Sequence, residues 1–266
     1  MKKYILAIDA GTTGITILLF DNNAKIVKRT YSEFNQIYPK PSWVEHDPIE
    51  IWNTTLKLLY EIIENIDPKS IAGIGITNQR ETTVVWNRLT SIPIYNAIVW
   101  QCKRTSKKCE ELISSGYSDK FQSKTGLIID SYFSGTKINW ILNNITNAYD
   151  MAKRGDLAFG TIDTWLIWNL THRKAHLTDH TNASRTLIYN IDDKNWDTEL
   201  LEILGIPIQM LPKINNSSSD FGLTNKSILG EEIPISGVAG DQQSALYGHL
   251  AFEKGMVKCT YGTGCF

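Results

Sequence analysis

The first forty residues of the chain alternate short apolar runs with small polar turns. Apolar runs cover residues 4–9, 15–20 and 26–31, and Gly, Thr, Asp and Asn separate them. Runs of this length between turn-forming residues are typical of β-strands. The pattern therefore predicts an antiparallel meander of three strands at the start of the chain.

The next segment has the period of a helix. From Trp52 to Ile66, apolar residues recur at steps of four and three, which places them on one helical face. Asp47 is suited to cap this helix, Pro48 to occupy its first position, and Glu50 completes a spacing like that of a capping box. We expect the Asp-Pro pair that follows Ile66 to end the helix.

The remaining segments alternate between short apolar runs typical of strands and segments with the period of a helix. This alternation predicts a mixed sheet flanked by helices and hence the α/β class. The predicted strands are residues 71–77, 82–86, 175–178, 186–190 and 256–261. The predicted helices are residues 103–114, 136–145, 162–170 and 198–204, with a further loop entering a helix at 240–248. We expect the basic run at 103–108 to be a solvated helix end.

Composition narrows the class of protein. The 266 residues are 42% hydrophobic and 21% charged, with 27 basic against 28 acidic side chains. This is typical of a globular protein with a core, and a net charge of −1 offers no attraction to nucleic acid or to anionic lipid. No apolar run is long enough to span a membrane. Four cysteines without paired spacing are expected to be thiols, so we expect a cytoplasmic protein with no nucleic-acid partner.

A turn of Gly and Thr follows the first predicted strand. It contains Gly11, Thr12, Thr13 and Gly14, and Asp9 stands just before it. Glycines let the backbone approach a ligand, and successive N–H groups with Thr hydroxyls favour an anion such as phosphate. A carboxylate beside them is suited to orient hydrated Mg²⁺. The same residue types are common in ordinary hairpin turns, so the motif alone leaves both interpretations open.

Two further clusters combine charge with hydrogen-bonding capacity. Arg80 and Glu81 are adjacent after a predicted strand and offer several donors and acceptors to a polyhydroxylated ligand. Asp241 and Gln242 begin a predicted helix, where a carboxylate is suited to accept a hydroxyl proton during phosphoryl transfer. A solvated ion pair and a simple helix cap are the alternatives when each cluster is taken alone.

The end of the chain holds a second Gly-Thr-Gly turn. Gly262 and Thr263 belong to it, and the two turns together are suited to close on one nucleotide. Trp100, Tyr132 and Phe266 are candidates for the wall of a small-substrate pocket. Because the chain contains 8 Trp, 11 Tyr and 8 Phe, any one ring is by itself more often part of the core.

The order of the motifs resembles the FGGY family of carbohydrate kinases, and among them the members that phosphorylate glycerol. The matching segments are residues 9–13, 43–48, 78–82, 100–101, 125–127, 132–137, 159–166, 181–186, 240–243 and 261–264. The resemblance implies a ribonuclease-H-like, actin-type α/β domain and an active site in a cleft between it and a second domain of the same type. It also implies that residues 1–250 are the first domain and that residues 251–266 begin the second, which is otherwise absent.

The resemblance further implies a role for each matching residue. Asp241 would accept the proton of a terminal glycerol hydroxyl as that oxygen attacks the γ-phosphorus of MgATP. Asp9 would position Mg²⁺ through water. The substrate-binding residues would be Arg80, Glu81, Tyr132, Asp241 and Gln242, with Trp100 and Phe266 against the carbons. The nucleotide phosphates would be held by the two turns, which contain Gly11, Thr12, Thr13, Gly14, Gly262 and Thr263.

The expected reaction is therefore ATP-dependent formation of sn-glycerol 3-phosphate by a full-length, homo-oligomeric enzyme, with the present fragment inactive alone. Two alternatives stay open. One is an FGGY kinase that acts on another polyol or sugar. The other is a fragment that binds glycerol without catalysis.

Overall fold

The computed structural model describes residues 3–261 and 265–266. Over these residues the extended segments are β1 (Tyr4–Ala10), β2 (Gly14–Asp21), β3 (Ile26–Glu33), β4 (Glu45–His46), β5 (Ile71–Asn78), β6 (Val84–Asn87), β7 (Ala97–Ile98), β8 (Leu157–Gly160), β9 (Leu177–Asp179), β10 (Tyr189–Asn190), β11 (Asn195–Trp196), β12 (Lys213–Asn215) and β13 (Ile235–Gly240).

The helices are α1 (Pro48–Ile62), α2 (Ser106–Ser114), α3 (Ser118–Thr125), α4 (Ser134–Asn144), α5 (Ala148–Lys153), α6 (Ile162–Leu170), α7 (His180–Ala183), α8 (Thr198–Leu204), α9 (Lys226–Leu229) and α10 (Asp241–Gly248). Two short 3₁₀ turns lie at Pro68–Ser70 and Ile208–Met210. In the segments that the structure describes, no helix has the length and apolarity needed to cross a membrane.

The central sheet has five strands in the order β13-β5-β1-β2-β3. Strands β1, β2 and β3 are antiparallel neighbours, whereas β5 is parallel to β1 and β13 is parallel to β5. Ala10 pairs with Asn78, and Gly240 pairs with the same Asn78. This register brings the carboxyl ends of β1, β5 and β13 to one edge of the sheet, where the loops that follow them meet.

Two hydrophobic cores support this edge. The first lies between the sheet and helices α1 and α6, and the indole N–H of Trp165 donates to the carbonyl of Pro48 across 2.8 Å to join the two helices. The second lies among α2 to α5, α8 and the pair β6–β8. Fully buried aromatic side chains occur in both, including Trp86 and Phe121. The loops at the edge of the sheet therefore rest on packed supports on both sides.

Most of the predicted elements are confirmed. The meander of β1, β2 and β3 forms as expected, and the helices predicted at residues 162–170 and 198–204 match α6 and α8. Asp47 caps α1 by accepting from the N–H of Ile49, and Pro48 is its first residue. Gly205 ends α8 in the left-handed conformation, with φ of 62°. In these elements the local sequence signals and the tertiary contacts favour the same structure.

Other predictions were wrong at particular points. Helix α1 ends at Ile62, before the Asp-Pro pair, and Glu50 accepts from Asn35 rather than closing a capping box. The strand predicted at residues 256–261 does not form; only Tyr261 makes an isolated bridge, to Cys265. Strand β13, which the sequence pattern missed, instead completes the sheet.

The prediction that the basic run at 103–108 is solvated is also wrong at one residue. The side chain of Arg104 is fully buried, and its guanidinium lies 3.9 Å from the ring centroid of Trp43 and 4.7 Å from that of Trp140. Its Nη2 donates to Glu45 across 2.6 Å. A cation between two indole rings and paired with a carboxylate is desolvated without loss of partners, which explains why it is not on the surface.

Candidate active site

A cavity opens where the loops after β1, β5 and β13 meet. It contains every residue that the sequence analysis named as substrate-binding, together with three additional polar residues. Its lining consists of Thr12, Gln79, Arg80, Glu81, Trp100, Tyr132, Asp241, Gln242, Thr260 and Phe266. Residues from both ends of the chain and from its middle therefore share one concave site, as expected at the carboxyl ends of parallel strands.

Arg80 and Asp241 face each other in this cavity. The Arg80 Nε lies 3.0 Å from Asp241 Oδ1, and Nη1 donates to Gln243 Oε1 across 3.4 Å. Arg80 can approach because the last residue of β13 is Gly240: a Cβ there would lie 2.6 Å from the Arg80 Cδ. The absence of a side chain at Gly240 thus sets the position of the guanidinium against the carboxylate.

Glu81 is held in an unusual conformation. Its φ is 60°, in the left-handed region that residues with a side chain rarely adopt, and its side chain is 2% exposed. The backbone carbonyl of Glu81 accepts from Ser134 Oγ across 3.0 Å, which fixes this turn against the start of α4. Strain of this kind concentrates at functional sites, where the surrounding structure holds it.

Arg185 is the functional candidate that sequence reasoning missed. Its Nε donates to Glu81 Oε1 across 2.7 Å, and its guanidinium packs 5.0 Å from the ring centroid of Phe133. Burial raises the pKa of the Glu81 carboxyl, and the charges of Arg80 and Arg185 oppose that rise. No local spacing links Arg185 to Glu81, because the two residues are far apart in the chain and meet only in the fold.

One wall of the cavity is aromatic. The ring centroids of Trp100 and Tyr132 are 5.4 Å apart, and those of Trp100 and Phe266 are 6.0 Å apart. Burial, and secondly the charge of Glu81, raises the pKa of Tyr132 to about 12, so its phenol remains a hydrogen-bond donor at neutral pH. The buried Lys137 Nζ donates to the carbonyls of Tyr132 and Phe133 across 2.5 Å and 3.2 Å. These bonds hold the backbone of the aromatic wall in place.

The turn between β1 and β2 is tied to the rest of the site by side chains. The Thr12 carbonyl accepts from Gln36 across 3.0 Å, and the Gly11 carbonyl accepts from Gln79 across 3.0 Å. Gly14 begins β2, where a Cβ would lie 2.7 Å from the carbonyl oxygen of Ser32. Close packing, rather than an unusual backbone angle, therefore requires glycine at that position.

Asp9, near the end of β1, is the residue predicted to orient Mg²⁺. Its side chain keeps access to solvent, yet the protein packed around it, and secondly the charge of Asp241, raises the pKa of Asp9 to about 6. Across residues 3–261 and 265–266, no three His, Cys, Asp or Glu side chains group closely enough to hold a metal. Two carboxylates that repel each other fit an Mg²⁺ ion held mainly by phosphate oxygens and water, as is usual for nucleotide-bound magnesium.

The second Gly-Thr-Gly turn, at residues 262–264, lies outside the described residues. Gly262 and Thr263, both predicted to bind nucleotide, belong to that undescribed part. On either side of it, the backbone groups of Thr260 and Phe266 exchange two hydrogen bonds, at 2.7 Å and 2.9 Å. These bonds bring Phe266 to the cavity. The side chain of Lys258 also contacts Gln242 Oε1 and donates to Thr260 Oγ1.

Comparison with known proteins assigns the chain to a family. A profile of the N-terminal domain of the FGGY family of carbohydrate kinases matches residues 4–248. The chain is 58% identical to a glycerol kinase of Thermoanaerobacter sp. (strain X514), covering 100% of this chain and 54% of that protein. It is 54% identical to glycerol kinase 2 of Thermotoga maritima, covering 99% of this chain and 54% of that protein.

Solved structures agree with the sequence matches. A crystal structure of Plasmodium falciparum glycerol kinase with ADP superposes with a TM-score of 0.94 at 39% identity, over 98% of this chain and 53% of the other. A ligand-bound xylulose kinase from Lactobacillus acidophilus gives a TM-score of 0.85 at 26% identity, over 94% of this chain and 50% of the other. The predicted actin-type α/β fold is thereby confirmed, and the chain spans about half the length of the relatives it matches.

Proposed function

We propose a function from one premise: this chain belongs to the FGGY family of carbohydrate kinases. In our proposal the whole protein transfers the γ-phosphoryl group of ATP to glycerol and releases ADP and sn-glycerol 3-phosphate. Relatives named as glycerol kinases, and the solved glycerol kinase that contains ADP, support both the acceptor and the nucleotide. Because the chain spans about half of those relatives, the reaction is proposed for the full-length protein.

The observation that carries the proposal is the composition of the cavity. A guanidinium, two carboxylates, a phenol and an amide converge within it from Arg80, Glu81, Asp241, Tyr132 and Gln242. Glycerol has three hydroxyl groups, each able to donate one hydrogen bond and accept others, and this set offers both donors and acceptors. Its carbon chain has an apolar side, which suits the aromatic wall. The site therefore complements a short neutral polyol.

We assign the chemical step to Asp241. Its carboxylate lies at the start of α10, 3.0 Å from Arg80 Nε, where the guanidinium and the helix N-terminus both hold it in place. Asp241 accepts the proton of the terminal hydroxyl as the oxygen attacks the γ-phosphorus in line with the leaving group. Phosphoryl transfer has a loose transition state, so positioning and electrostatic stabilisation supply most of the acceleration.

The nucleotide side of the proposed site involves the turn between β1 and β2. Backbone N–H groups of Gly11, Thr12 and Thr13, with the two Thr hydroxyls, are suited to hold phosphate oxygens. Asp9 would hold waters of an Mg²⁺ ion that arrives with the nucleotide and neutralises charge on the transferred group. The predicted contributions of Gly14, Gly262 and Thr263 belong to the same proposal.

The compartment and the assembly are part of the proposal as well. Cys102, Cys109, Cys259 and Cys265 are all free, which supports a reducing compartment such as the cytoplasm. We also propose that the whole protein forms a homo-oligomer, that residues 1–250 are its first domain and that residues 251–266 begin the second. Size measurement of the full-length protein tests the first of these statements, and limited proteolysis tests the boundary.

The central test measures coupled ADP release by the full-length protein with and without glycerol, beside the variant Asp241→Asn. We expect glycerol-dependent ADP release, and a loss in kcat of about a hundredfold or more in the variant, because general-base catalysis contributes that much. Asp193→Asn, at an exposed residue, is the matched control and keeps wild-type turnover. Near-normal turnover by Asp241→Asn overturns the assignment of the base.

A substrate panel separates glycerol from other acceptors. Glycerol, xylulose and gluconate are compared at equal concentration for the wild type and for Arg80→Ala. Our proposal requires glycerol to be preferred and that preference to be lost in the variant, since Arg80 lines the cavity next to Asp241. Preference for xylulose or gluconate in the wild type identifies a different member of the family. Binding of glycerol without any ADP release identifies a non-catalytic protein.

A further inference from the structure

We propose that Thr181 is a positioning residue for Asp241. The Thr181 hydroxyl bridges a buried carboxylate, Asp179, and the backbone N–H of Gly240, which directly precedes Asp241. This inference rests on the proposed function, because it gives Thr181 a part in aligning the group that accepts the glycerol proton.

Asp179 is the fixed end of the bridge. Its side chain is completely buried between β9 and α7, and both carboxylate oxygens are occupied. Oδ1 accepts from the N–H and the side-chain amide of Asn182 at 3.0 Å and 2.9 Å. Oδ2 accepts from the N–H and hydroxyl of Thr181 at 3.0 Å and 2.7 Å, and from Ser217 Oγ at 2.7 Å. A carboxylate with this many partners has little freedom to move.

The bridge has a defined direction. Because the Thr181 hydroxyl proton is donated to Asp179, the lone pairs of Thr181 Oγ1 are free to accept, and one accepts from the Gly240 N–H across 2.8 Å. A hydroxyl that donates to a carboxylate is polarised and becomes a better acceptor. Removing the Thr181 hydroxyl would leave the buried N–H of Gly240 without this acceptor.

The location of Gly240 explains why it needs this acceptor. Among the described strands, only β5 pairs with β13, and the loop at residues 217–222 bonds the other side of β13 as far as Val238. Gly240 is the last residue of β13, it is buried, and a side chain there would collide with Arg80. Beyond Val238, the Thr181 hydroxyl satisfies the N–H of Gly240, at the point where β13 ends and α10 begins.

A second contact ties the same helix to the neighbouring strand. Asn78, at the end of β5, donates from its Nδ2 to Asn182 Oδ1 across 3.0 Å. Helix α7 therefore contacts the ends of both β5 and β13, from which Arg80 and Asp241 enter the cavity. If the Thr181 bridge moves, we expect the distance between the Arg80 and Asp241 side chains to change.

The test uses full-length protein and the variants Thr181→Val, Thr181→Ser and Thr171→Val. Valine keeps the shape of threonine and removes the hydroxyl, so we expect kcat to fall about tenfold or more while KM for glycerol and for MgATP changes by less than about threefold. Serine restores the hydroxyl, and we expect it to return kcat to within about threefold of wild type. Thr181→Ala is the second variant that lacks the hydroxyl, for use if the valine variant does not fold.

Thr171→Val is the matched control: Thr171 is a buried threonine whose hydroxyl likewise accepts from a backbone N–H, that of Ala175, and donates within the protein, to the carbonyl of Ile167, but it does not line the cavity. It should keep wild-type kcat, and melting temperatures of all variants separate loss of stability from loss of alignment. Unchanged kcat in both variants that lack the Thr181 hydroxyl overturns the proposal, as does an equal loss in Thr171→Val. If the wild type does not phosphorylate glycerol, the proposed function fails instead, which is a distinct result.

Discussion

The indole N–H of Trp100 donates a hydrogen bond to the hydroxyl of Thr12 across 3.0 Å. One bond thereby joins the aromatic wall of the cavity to the turn between β1 and β2. In the proposed reaction these two residues face different substrates, glycerol and the phosphates of ATP. The bond is therefore expected to couple the two binding events.

Trp100→Phe tests this coupling, because phenylalanine keeps an aromatic ring and removes the N–H. A neutral hydrogen bond contributes about 1 kcal/mol, so we expect KM for both glycerol and MgATP to rise by about fivefold. Trp168→Phe is the control: it removes a similar bond, from an indole N–H to Ser91 Oγ at 2.8 Å, remote from the cavity. If only the glycerol KM changes in Trp100→Phe, the bond does not couple the substrates.

Gly240→Ala is expected to displace Arg80. The added Cβ would lie 2.6 Å from the Arg80 Cδ, so the guanidinium must move away from Asp241. We predict a rise in glycerol KM of about tenfold or more, measured by steady-state kinetics, because a misplaced binding group loses most of its contribution. Gly237→Ala, in the same strand, meets no atom closer than 3.9 Å and is the control. Equal KM values in the two variants would contradict this prediction.

Arg185→Met is expected to change the pH dependence of glycerol binding. Burial raises the pKa of Glu81, and the charge of Arg185 opposes that rise, so removing the guanidinium raises the pKa further. If ionised Glu81 binds the substrate, the acidic limb of the profile of kcat/KM for glycerol moves to higher pH. The exposed pair Arg154–Asp156 supplies the control Arg154→Met, whose profile should match the wild type. An acidic limb that stays in place in Arg185→Met argues against a role for ionised Glu81.

Lys137 makes the stability of the protein depend on pH. Complete burial lowers the pKa of Lys137 to about 7, from an unfolded value of about 10.4. Between these values the unfolded chain binds a proton that the folded chain does not, so the free energy of unfolding rises with pH across that window. Below pH 7 both states are protonated and the full cost of burying the charge remains.

Lys137→Met removes that titration. Urea unfolding followed between about pH 7 and 10 should show a smaller rise in stability for the variant than for the wild type. Lys57→Met, at an exposed position on α1, is the control and should keep the wild-type slope. Identical slopes for wild type and Lys137→Met would show that Lys137 titrates alike in both states.

Much of the fold follows from local sequence signals. The meander β1–β3 has regular apolar runs with turn residues between them, and α8 has both an Asp cap and a Gly at its end. Strand β13 was missed because its sequence, Ile-Ser-Gly-Val-Ala-Gly, has small residues and no clear alternation. Its strand state comes from pairing with β5, which is information that a single segment does not contain.

The candidate site, like the fold, could be predicted from the sequence only in part. Arg80, Glu81, Asp241 and Gln242 stood out as short clusters of charged and amide groups, and the resemblance to the family assigned them to one site; the cavity brings them together. Arg185 was missed because its partner is distant in the chain. The prediction for Arg104 was wrong for a related reason: Arg104 lies in a basic run, next to the exposed Lys103, whereas its neighbours in space are two Trp rings and Glu45. Composition of a segment predicts solvation poorly when the partners come from elsewhere.

The position of β13 at the edge of the sheet has a consequence for biosynthesis. A ribosome makes β1, β2, β3 and β5 early, and these four strands can pair before the last strand exists. Asp241 follows β13 directly, so the proposed base joins Arg80 only after most of the domain has been translated. Long-range strand pairing is a slow, late event in folding. During synthesis, Arg80, Trp100 and Tyr132 are therefore made well before the proposed base, and the site is complete only after β13 has paired with β5.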